Sequence, residues 1–290
     1  MELRCGNIVY VKRIALILVV MASISIQASP QSHAAANAAA YLGFDRNNYP
    51  GDQNLKVLRE TFSYTGFWLN LPPSAKINTW HGKRRTLQSA GFGFLVLFNG
   101  RLFNELKSVS YASKLGKSDA QAAVTAARRE GFPAKTIIFL DQEQGGRMLP
   151  EQKAYIYAWV DGVSASGFLA GIYCSGISAL KEGGEDIVTA DDIRQNAGAR
   201  KIVYWVTNDA CPPSPGCVFP KRAPSPADSG IRSADVWQFA QSPKRPDVAA
   251  SCPGYNPDGN CYPPEISVTQ HLHIDVDTAN TADPSHGRTR

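Results

Sequence analysis

The sequence lacks the usual marks of proteins that bind nucleic acids, metals or phosphate groups. Its only run of three basic residues, 83–85, fits the start of a solvated helix, so the chain has no basic stripe for a nucleic acid. No Cys-x-x-Cys spacing with a nearby histidine pair occurs, which excludes the common zinc motifs. No glycine-rich phosphate loop follows the first predicted strand. We therefore expect no nucleic-acid partner, no metal and no cofactor.

The amino-terminal residues have the pattern of a secretory signal peptide. Basic residues precede the apolar run 14–26, and small residues follow it. The run is shorter than the about 20 residues of a membrane-spanning helix, so we favour cleavage, near Ala28 or Ala34, over a membrane anchor. We expect a secreted or periplasmic protein without a stable membrane span after cleavage. The expected parts are a signal peptide (1–34), a linker (35–40), one domain (41–280) and a disordered tail (281–290).

The cysteines fit an exported protein. Cys211 and Cys217 bracket a proline-rich stretch, and Cys252 and Cys261 bracket the segment PGYNPDGN. We predict that each of these neighbouring pairs forms a disulfide, because exported proteins fold in an oxidising compartment. Cys174 lies within an apolar run and is predicted to be a buried free thiol.

Eight short, nearly continuous apolar runs predict strands that are buried on both faces, as in a parallel sheet. They are residues 41–45, 65–70, 93–99, 136–143, 169–175, 201–208, 235–241 and 271–278. Helical patterns separate the first five runs. The helix between the third and fourth runs is predicted to start with a capping box at Ser118 and to end at Gly131. This order predicts an α/β fold, a TIM-like (β/α)₈ barrel with all strands parallel. A doubly wound open sheet is the alternative.

The last third of the chain departs from this alternation. Twelve of the 19 prolines lie between residues 212 and 264, where the later barrel helices would be expected. Because proline breaks helix interiors, we predict that long loops, 209–233 and 242–270, replace these helices and that disulfides hold the loops. The predicted barrel is therefore irregular on that side.

Acidic residues stand at the ends of three predicted strands. Asp141 and Glu143 are two residues apart and so project from the same face of their strand. Asp45 ends the first predicted strand, and Asp275 and Asp277 lie near the end of the eighth. TIM barrels place their active sites at this end of the strands. We therefore predict a cluster of carboxylates at the barrel mouth.

Crowded carboxylates in a partly dry pocket hold at least one proton more tightly than usual, and a general acid requires such a proton. Glycosidases use pairs of acids in this way. The alternative for any single acid is a helix cap or a salt bridge to a loop.

Aromatic and amide side chains lie near the same ends of the predicted strands. Aromatic rings pack against the apolar faces of sugars, while amides can bind sugar hydroxyls. Alternation allows only one of Tyr204 and Trp205 to face the barrel interior, and Asn208 is a further candidate. The predicted substrate-binding residues are Trp237, Gln238, Tyr173, Trp205, Asn99 and Asp275.

Several spaced motifs resemble a known family. Seven segments are similar, in order along the chain, to the glycoside-hydrolase-like domain of unknown function family 1906. They are YLGFDRNNYPG, WHGKRRTLQSAGFGFLVLFNG, IIFLDQE, GIYCS, YWVTND, DVWQFAQ and HIDVDTAN. That family is a TIM-barrel relative of the family 25 lysozymes. The resemblance implies a cleft at the barrel mouth with Glu143 as general acid and Asp141, Asp45 and Asp277 as supporting carboxylates. Asp275 is an additional acid.

Two functions follow from these features. The first is an exported monomeric hydrolase of β-1,4-linked amino-sugar polymers such as peptidoglycan. The second is a non-catalytic protein that binds cell-wall glycan and keeps the cleft without turnover. The acid cluster favours the hydrolase, whereas a cleft filled by the long loops would favour the binding protein.

Overall fold

The computed structural model describes residues 39–180, 184 and 186–288. The predicted signal peptide and most of the predicted linker lie outside these residues. No helix in the described part of the chain is long and apolar enough to cross a membrane.

Eight of the ten strands in the described residues close into a barrel, as predicted. The ten strands are β1 (Tyr41–Asp45), β2 (Tyr64–Trp68), β3 (Gly93–Asn99), β4 (Ile137–Asp141), β5 (Leu169–Ser175), β6 (Ser178–Leu180), β7 (Asp186–Val188), β8 (Val203–Thr207), β9 (Ala234–Ala240) and β10 (Asp275–Ala279). Their order around the barrel is β1-β10-β9-β8-β5-β4-β3-β2, while β6 and β7 form a separate two-stranded sheet. The barrel confirms the predicted fold class.

The direction of β10 corrects the prediction of a fully parallel barrel. β10 pairs antiparallel with both β1 and β9, whereas the other neighbours in the barrel are parallel. The chain enters β10 from the long loop after β9, without a helix that would return it to the bottom of the barrel. Asp275 therefore pairs with Asp45 at the mouth although it begins its strand.

The helices lie between the earlier strands. They are α1 (Leu55–Thr61), α2 (Arg84–Ser89), α3 (Val109–Glu130), α4 (Pro150–Ala165) and α5 (Thr189–Asn196). The predicted start of α3 at Ser118 is wrong, because Ser108 caps the helix by accepting a hydrogen bond from the backbone N–H of Tyr111. Its predicted end is confirmed, since Gly131 adopts the left-handed conformation that terminates a helix.

Large aromatic rings fill the barrel below the mouth, where facing glycines leave room for them. A Cβ atom on Gly43 would lie 2.1 Å from the ring of Tyr64, and one on Gly171 would lie 2.4 Å from the ring of Phe139. Phe139 in turn packs edge-on against Trp205 at 6.0 Å between ring centroids. This packed interior forms the floor on which the site rests.

The loops after β8 and β9 contain 3₁₀ turns and no α-helix in the described residues, as the prolines predict. The predicted disulfide pairing is wrong: Cys211 bonds to Cys252 and Cys217 bonds to Cys261, so each bond joins one loop to the other. Neighbouring strands project both loops from the same end of the barrel, which brings cysteines of different loops together. Cys174 is free and buried, as predicted.

Residues 281–288 differ from the expected disordered tail. Ser285 is fully buried, donates its backbone N–H to the carbonyl of Phe94 at 2.8 Å and accepts the N–H of Val96 at its hydroxyl at 2.8 Å. Phe94 and Val96 belong to β3, and the carboxylate of Asp283 also accepts the backbone N–H of Phe94. Because β10 runs away from the mouth, the residues that follow it pack at the bottom of the barrel.

Candidate active site

A cavity of about 140 Å³ opens at the barrel mouth, and each of the eight barrel strands contributes one side chain to it. Four further lining residues come from the loops. The lining residues are Asp45, Asn47, Trp68, Pro73, Leu97, Asp141, Glu143, Tyr173, Trp205, Gln238, Gln241 and Asp275. A larger groove of about 580 Å³ lies near the starts of β5 and β8, but no carboxylate is among the described residues that line it.

Asp45, at the end of β1, is held by a chain of hydrogen bonds that crosses the cavity. Gln238 donates its Nε2 to Asp45 Oδ2 at 2.8 Å and accepts the hydroxyl of Tyr173 at Oε1, also at 2.8 Å. Gln241 donates to the same Oε1 atom. Burial raises the pKa of Asp45 to about 6, against the opposing effect of the Gln238 hydrogen bond. Asp45 therefore changes charge near neutral pH.

Asp141 and Glu143 form a carboxyl pair on the side of β4. Asp141 is buried at the end of the strand, whereas Glu143 is exposed at the mouth. Their carboxyl groups are within hydrogen-bonding reach of each other, and a hydrogen bond between them requires a proton on one of them. Burial, followed by the charges of Glu143 and Asp45, holds the pKa of Asp141 well above its usual range. Although the residue is exposed, the protein around its carboxyl group displaces water from it and raises the pKa of Glu143, partly offset by the interaction with Asp141 and by the Arg245 guanidinium.

The two acids of β10 lie at different depths. Asp275 lines the cavity and accepts the backbone N–H of Ser242 at 2.6 Å. Asp277 is fully buried beneath the cavity, where the indole N–H of Trp205 donates to its Oδ1 atom at 3.1 Å. Burial first, and then the charge of Asp45, raises the pKa of both groups well above the usual range. Asp277 is therefore an interior group and not part of the cavity lining.

Two predicted aromatic residues meet in the cavity. The rings of Tyr173 and Trp205 lie 4.6 Å apart between centroids and stand edge to face. The cavity is lined by Trp205 and not by Tyr204, in agreement with the expected alternation. Together they form an aromatic wall beside the carboxylates.

Trp237 and Asn99 lie outside the cavity, and the expected position of Trp237 is corrected. Since Gln238 faces inward, its neighbour Trp237 faces outward, donates its indole N–H to the carbonyl of Asn208 and packs against Phe239. Asn99 ends β3 close to the mouth but donates its amide to the carbonyl of Leu71 at 3.0 Å.

Sequence reasoning missed several lining residues. Trp68 ends β2 and donates its indole N–H to the carbonyl of Arg46. The available signal was an aromatic residue in the second half of the predicted strand 65–70. Gln241 follows β9 and donates to the Tyr173 hydroxyl at 3.1 Å. Asn47 and Pro73 come from loops, whose course the sequence pattern does not specify.

The site is strongly acidic. Four carboxyl groups line the cavity and a fifth lies below it, while two arginines, Arg46 and Arg245, are close enough to affect them electrostatically. Arg245 is committed to a double hydrogen bond with the buried carboxylate of Asp209. Such crowding favours protonation of some of the carboxyl groups at neutral pH. The arrangement can therefore hold and transfer protons beside a concave aromatic wall.

Part of this barrel is similar in sequence to a known family. Residues 74–187 match the family model described as the Rv2525c-like, glycoside hydrolase-like domain, which confirms the predicted resemblance over that segment. The segment is less than half of the chain. None of the curated proteins compared with the chain matches it.

Solved structures with a similar fold include three bacterial proteins. An uncharacterised protein from B. stearothermophilus has 22% identity and a TM-score of 0.53, over 82% of this chain and 95% of its own. The Tat-secreted protein Rv2525c of Mycobacterium tuberculosis, solved with L-tartrate, has 12% identity and a TM-score of 0.47, over 83% and 94%. The spore cortex lytic enzyme SleM of Clostridium perfringens has 14% identity and a TM-score of 0.47, over 83% and 68%. The first of these supports the fold.

Proposed function

We propose that the protein is an exported glycosidase that hydrolyses β-1,4-linked amino-sugar polymers such as peptidoglycan. The observation that carries this proposal is the convergence of Asp45, Asp141, Glu143 and Asp275 on one cavity at the barrel mouth. Paired carboxyl groups with raised pKa are the groups that glycoside hydrolysis uses. The matching of residues 74–187 to a glycoside hydrolase-like family supports the same chemistry.

Glu143 is the proton donor in this proposal. It is the exposed member of the pair with Asp141 and therefore the one that can reach a glycosidic oxygen. Its proton passes to the leaving oxygen as the bond from the anomeric carbon breaks, and one water molecule supplies the new hydroxyl group and the proton that restores the acid. Asp45, held by Gln238, stabilises the positive charge on the sugar or orients the attacking group.

The remaining sugar units lie along the rim of the mouth. A cavity of about 140 Å³ is smaller than the about 300–1,000 Å³ of most ligand pockets, so a polymer must extend beyond it. Seven of the ten exposed large hydrophobic residues of the described chain lie on the loops or helix starts that follow β2, β3 and β4. They are Leu71, Ile77, Leu102, Phe103, Val109, Tyr111 and Leu149. Phe103 is joined to the loop that carries Glu143, because its backbone N–H donates to the side chain of the next residue, Gln144, at 2.6 Å.

The small cavity also favours a second candidate function, a non-catalytic protein that binds cell-wall glycan. In that case the aromatic wall and the rim would bind sugar rings, and the carboxyl groups would accept hydrogen bonds from hydroxyl groups. Both functions need access to the cell wall. Export is consistent with the two disulfides, which form and persist in oxidising compartments, and with the signal-peptide pattern of the sequence.

The test is incubation of the purified protein with cell walls and with chitooligosaccharides, followed by mass spectrometry of the soluble products. The hydrolase predicts shortened glycan fragments that each carry the added mass of water. Co-sedimentation of the protein with cell walls without any fragments would favour the binding protein. If the protein releases no fragments and also does not co-sediment with cell walls, both proposals are refuted.

A further inference from the structure

The hydrogen bonds around Asp277 are unusual for an ionised carboxylate. The side chain is fully buried, and its Oδ1 atom accepts one neutral donor, the indole N–H of Trp205. Its Oδ2 atom is buried and meets no N–H or O–H donor among the described residues. An ionised carboxylate at such a position would be left with an unsatisfied oxygen, which is costly in a protein interior.

The groups that face Asp277 increase this cost. Its charged or titratable neighbours are Asp45 of β1, Tyr64 of β2 and Asp275 of its own strand, none of which is a cation. Buried carboxylates are normally paired with a positive charge or with several donors. Two ionised groups at Asp45 and Asp277 would also repel each other directly.

The contact with Asp45 resolves both difficulties. Asp277 lies opposite Gly43 on the paired strand and so diagonally across from Asp45, and the two carboxyl groups are within hydrogen-bonding reach. A hydrogen bond between them forms only when one of them carries a proton. Asp45 opens to the cavity and has the amide of Gln238 as a second donor, so it is the better place for the negative charge. Asp277 is the deeper group with fewer donors and is the better place for the proton.

We propose that Asp277 is a neutral carboxylic acid whose O–H donates a hydrogen bond to Asp45, and that it acts as a positioning residue for Asp45. With Gln238 on one side and Asp277 on the other, the Asp45 carboxylate is fixed in orientation and favoured in its ionised form. The role in positioning rests on the proposed function, since it assumes that Asp45 acts on a substrate. The protonation of Asp277 does not depend on that assumption.

Two substitutions separate a neutral donor from a charged group. Asp277→Asn keeps an N–H that can donate to Asp45, whereas Asp277→Leu keeps the approximate size and removes the donor. The acidic limb of the pH–rate profile should lie near pH 6, where Asp45 ionises. It should move by less than half a unit in Asp277→Asn and upward by about one to two units in Asp277→Leu, because the lost hydrogen bond favoured the ionised form of Asp45. Loss of activity in both variants would overturn the proposal, because it would show that a carboxyl group itself is needed.

Infrared difference spectroscopy tests the protonation without any activity. The spectrum of the wild-type protein minus that of Asp277→Asn at neutral pH should contain the C=O stretching band of a protonated carboxylic acid. A carboxylate band in its place would overturn the proposal. If the acid band is present but no glycan is hydrolysed, the proposed function fails while the assignment of Asp277 stands.

Discussion

Asp45→Asn should make the folded protein more stable at neutral pH while it removes function. Burial raises the pKa of Asp45 from 3.8 to about 6, so the folded protein binds this proton more tightly than the unfolded chain. The stability that this proton confers is fully present below about pH 4 and is lost as the pH rises through about 6. A difference of about two pKa units corresponds to about 3 kcal/mol. Asparagine carries no charge at any of these pH values and can still accept the hydrogen bond from Gln238.

Urea unfolding measured at several pH values tests this prediction. At neutral pH the free energy of unfolding of Asp45→Asn should exceed that of the wild-type protein by about 3 kcal/mol, equivalent to about 6–12 °C in melting temperature. The difference should shrink toward zero near pH 4. Asp186→Asn, at an exposed position in β7, is the matched control and should change little. Equal stability of Asp45→Asn and wild type at neutral pH would refute the argument.

Three further variants probe the rim, the loops and the barrel interior. Phe103→Ala should weaken the binding of long glycans by about 0.5–1.5 kcal/mol or more in calorimetry, whereas Tyr41→Ala, an exposed aromatic at the start of β1, should not; equal effects would contradict the placement of sugar units on the rim. Replacing Cys211 and Cys252 by serine opens a link between residues 41 positions apart and should lower the free energy of unfolding by about 4 kcal/mol in denaturant titrations; an unchanged value would show that this bond does not stabilise the loops. Gly43→Ala should cost about 1–3 kcal/mol in the same assay, because its Cβ would lie 2.1 Å from an aromatic ring, and a neutral effect would show that the barrel interior has spare room.

The parts of the fold that local pattern determines were predictable. Buried parallel strands are continuous apolar runs, so β3 and β5 coincide with their predicted limits. Asp45 and Asp141 end parallel strands, and such ends meet at one mouth, so their convergence followed from sequence position alone. The same reasoning placed Glu143, two residues after Asp141, at the cavity.

The remaining features depend on tertiary contacts that the sequence pattern does not contain. An apolar run has the same pattern in either direction, so the antiparallel course of β10 was not visible, although Asp275 still reached the mouth. Cysteine spacing does not specify connectivity, and the pairing here depends on how two loops cross. Trp237 and Gln238 are adjacent and must face opposite sides of β9, and only the structure shows that Gln238 takes the inward position.

The most direct test of the proposed chemistry compares the rates at which two glutamine variants release reducing ends from peptidoglycan. Glu143→Gln keeps the size of the side chain but removes the transferable proton, whereas Glu60→Gln changes an exposed residue of α1 away from the cavity. We expect a wild-type rate for Glu60→Gln and a rate lower by about 10²–10⁴-fold for Glu143→Gln. A Glu143→Gln variant that releases reducing ends as fast as the wild-type protein would contradict the assignment of Glu143 as the proton donor.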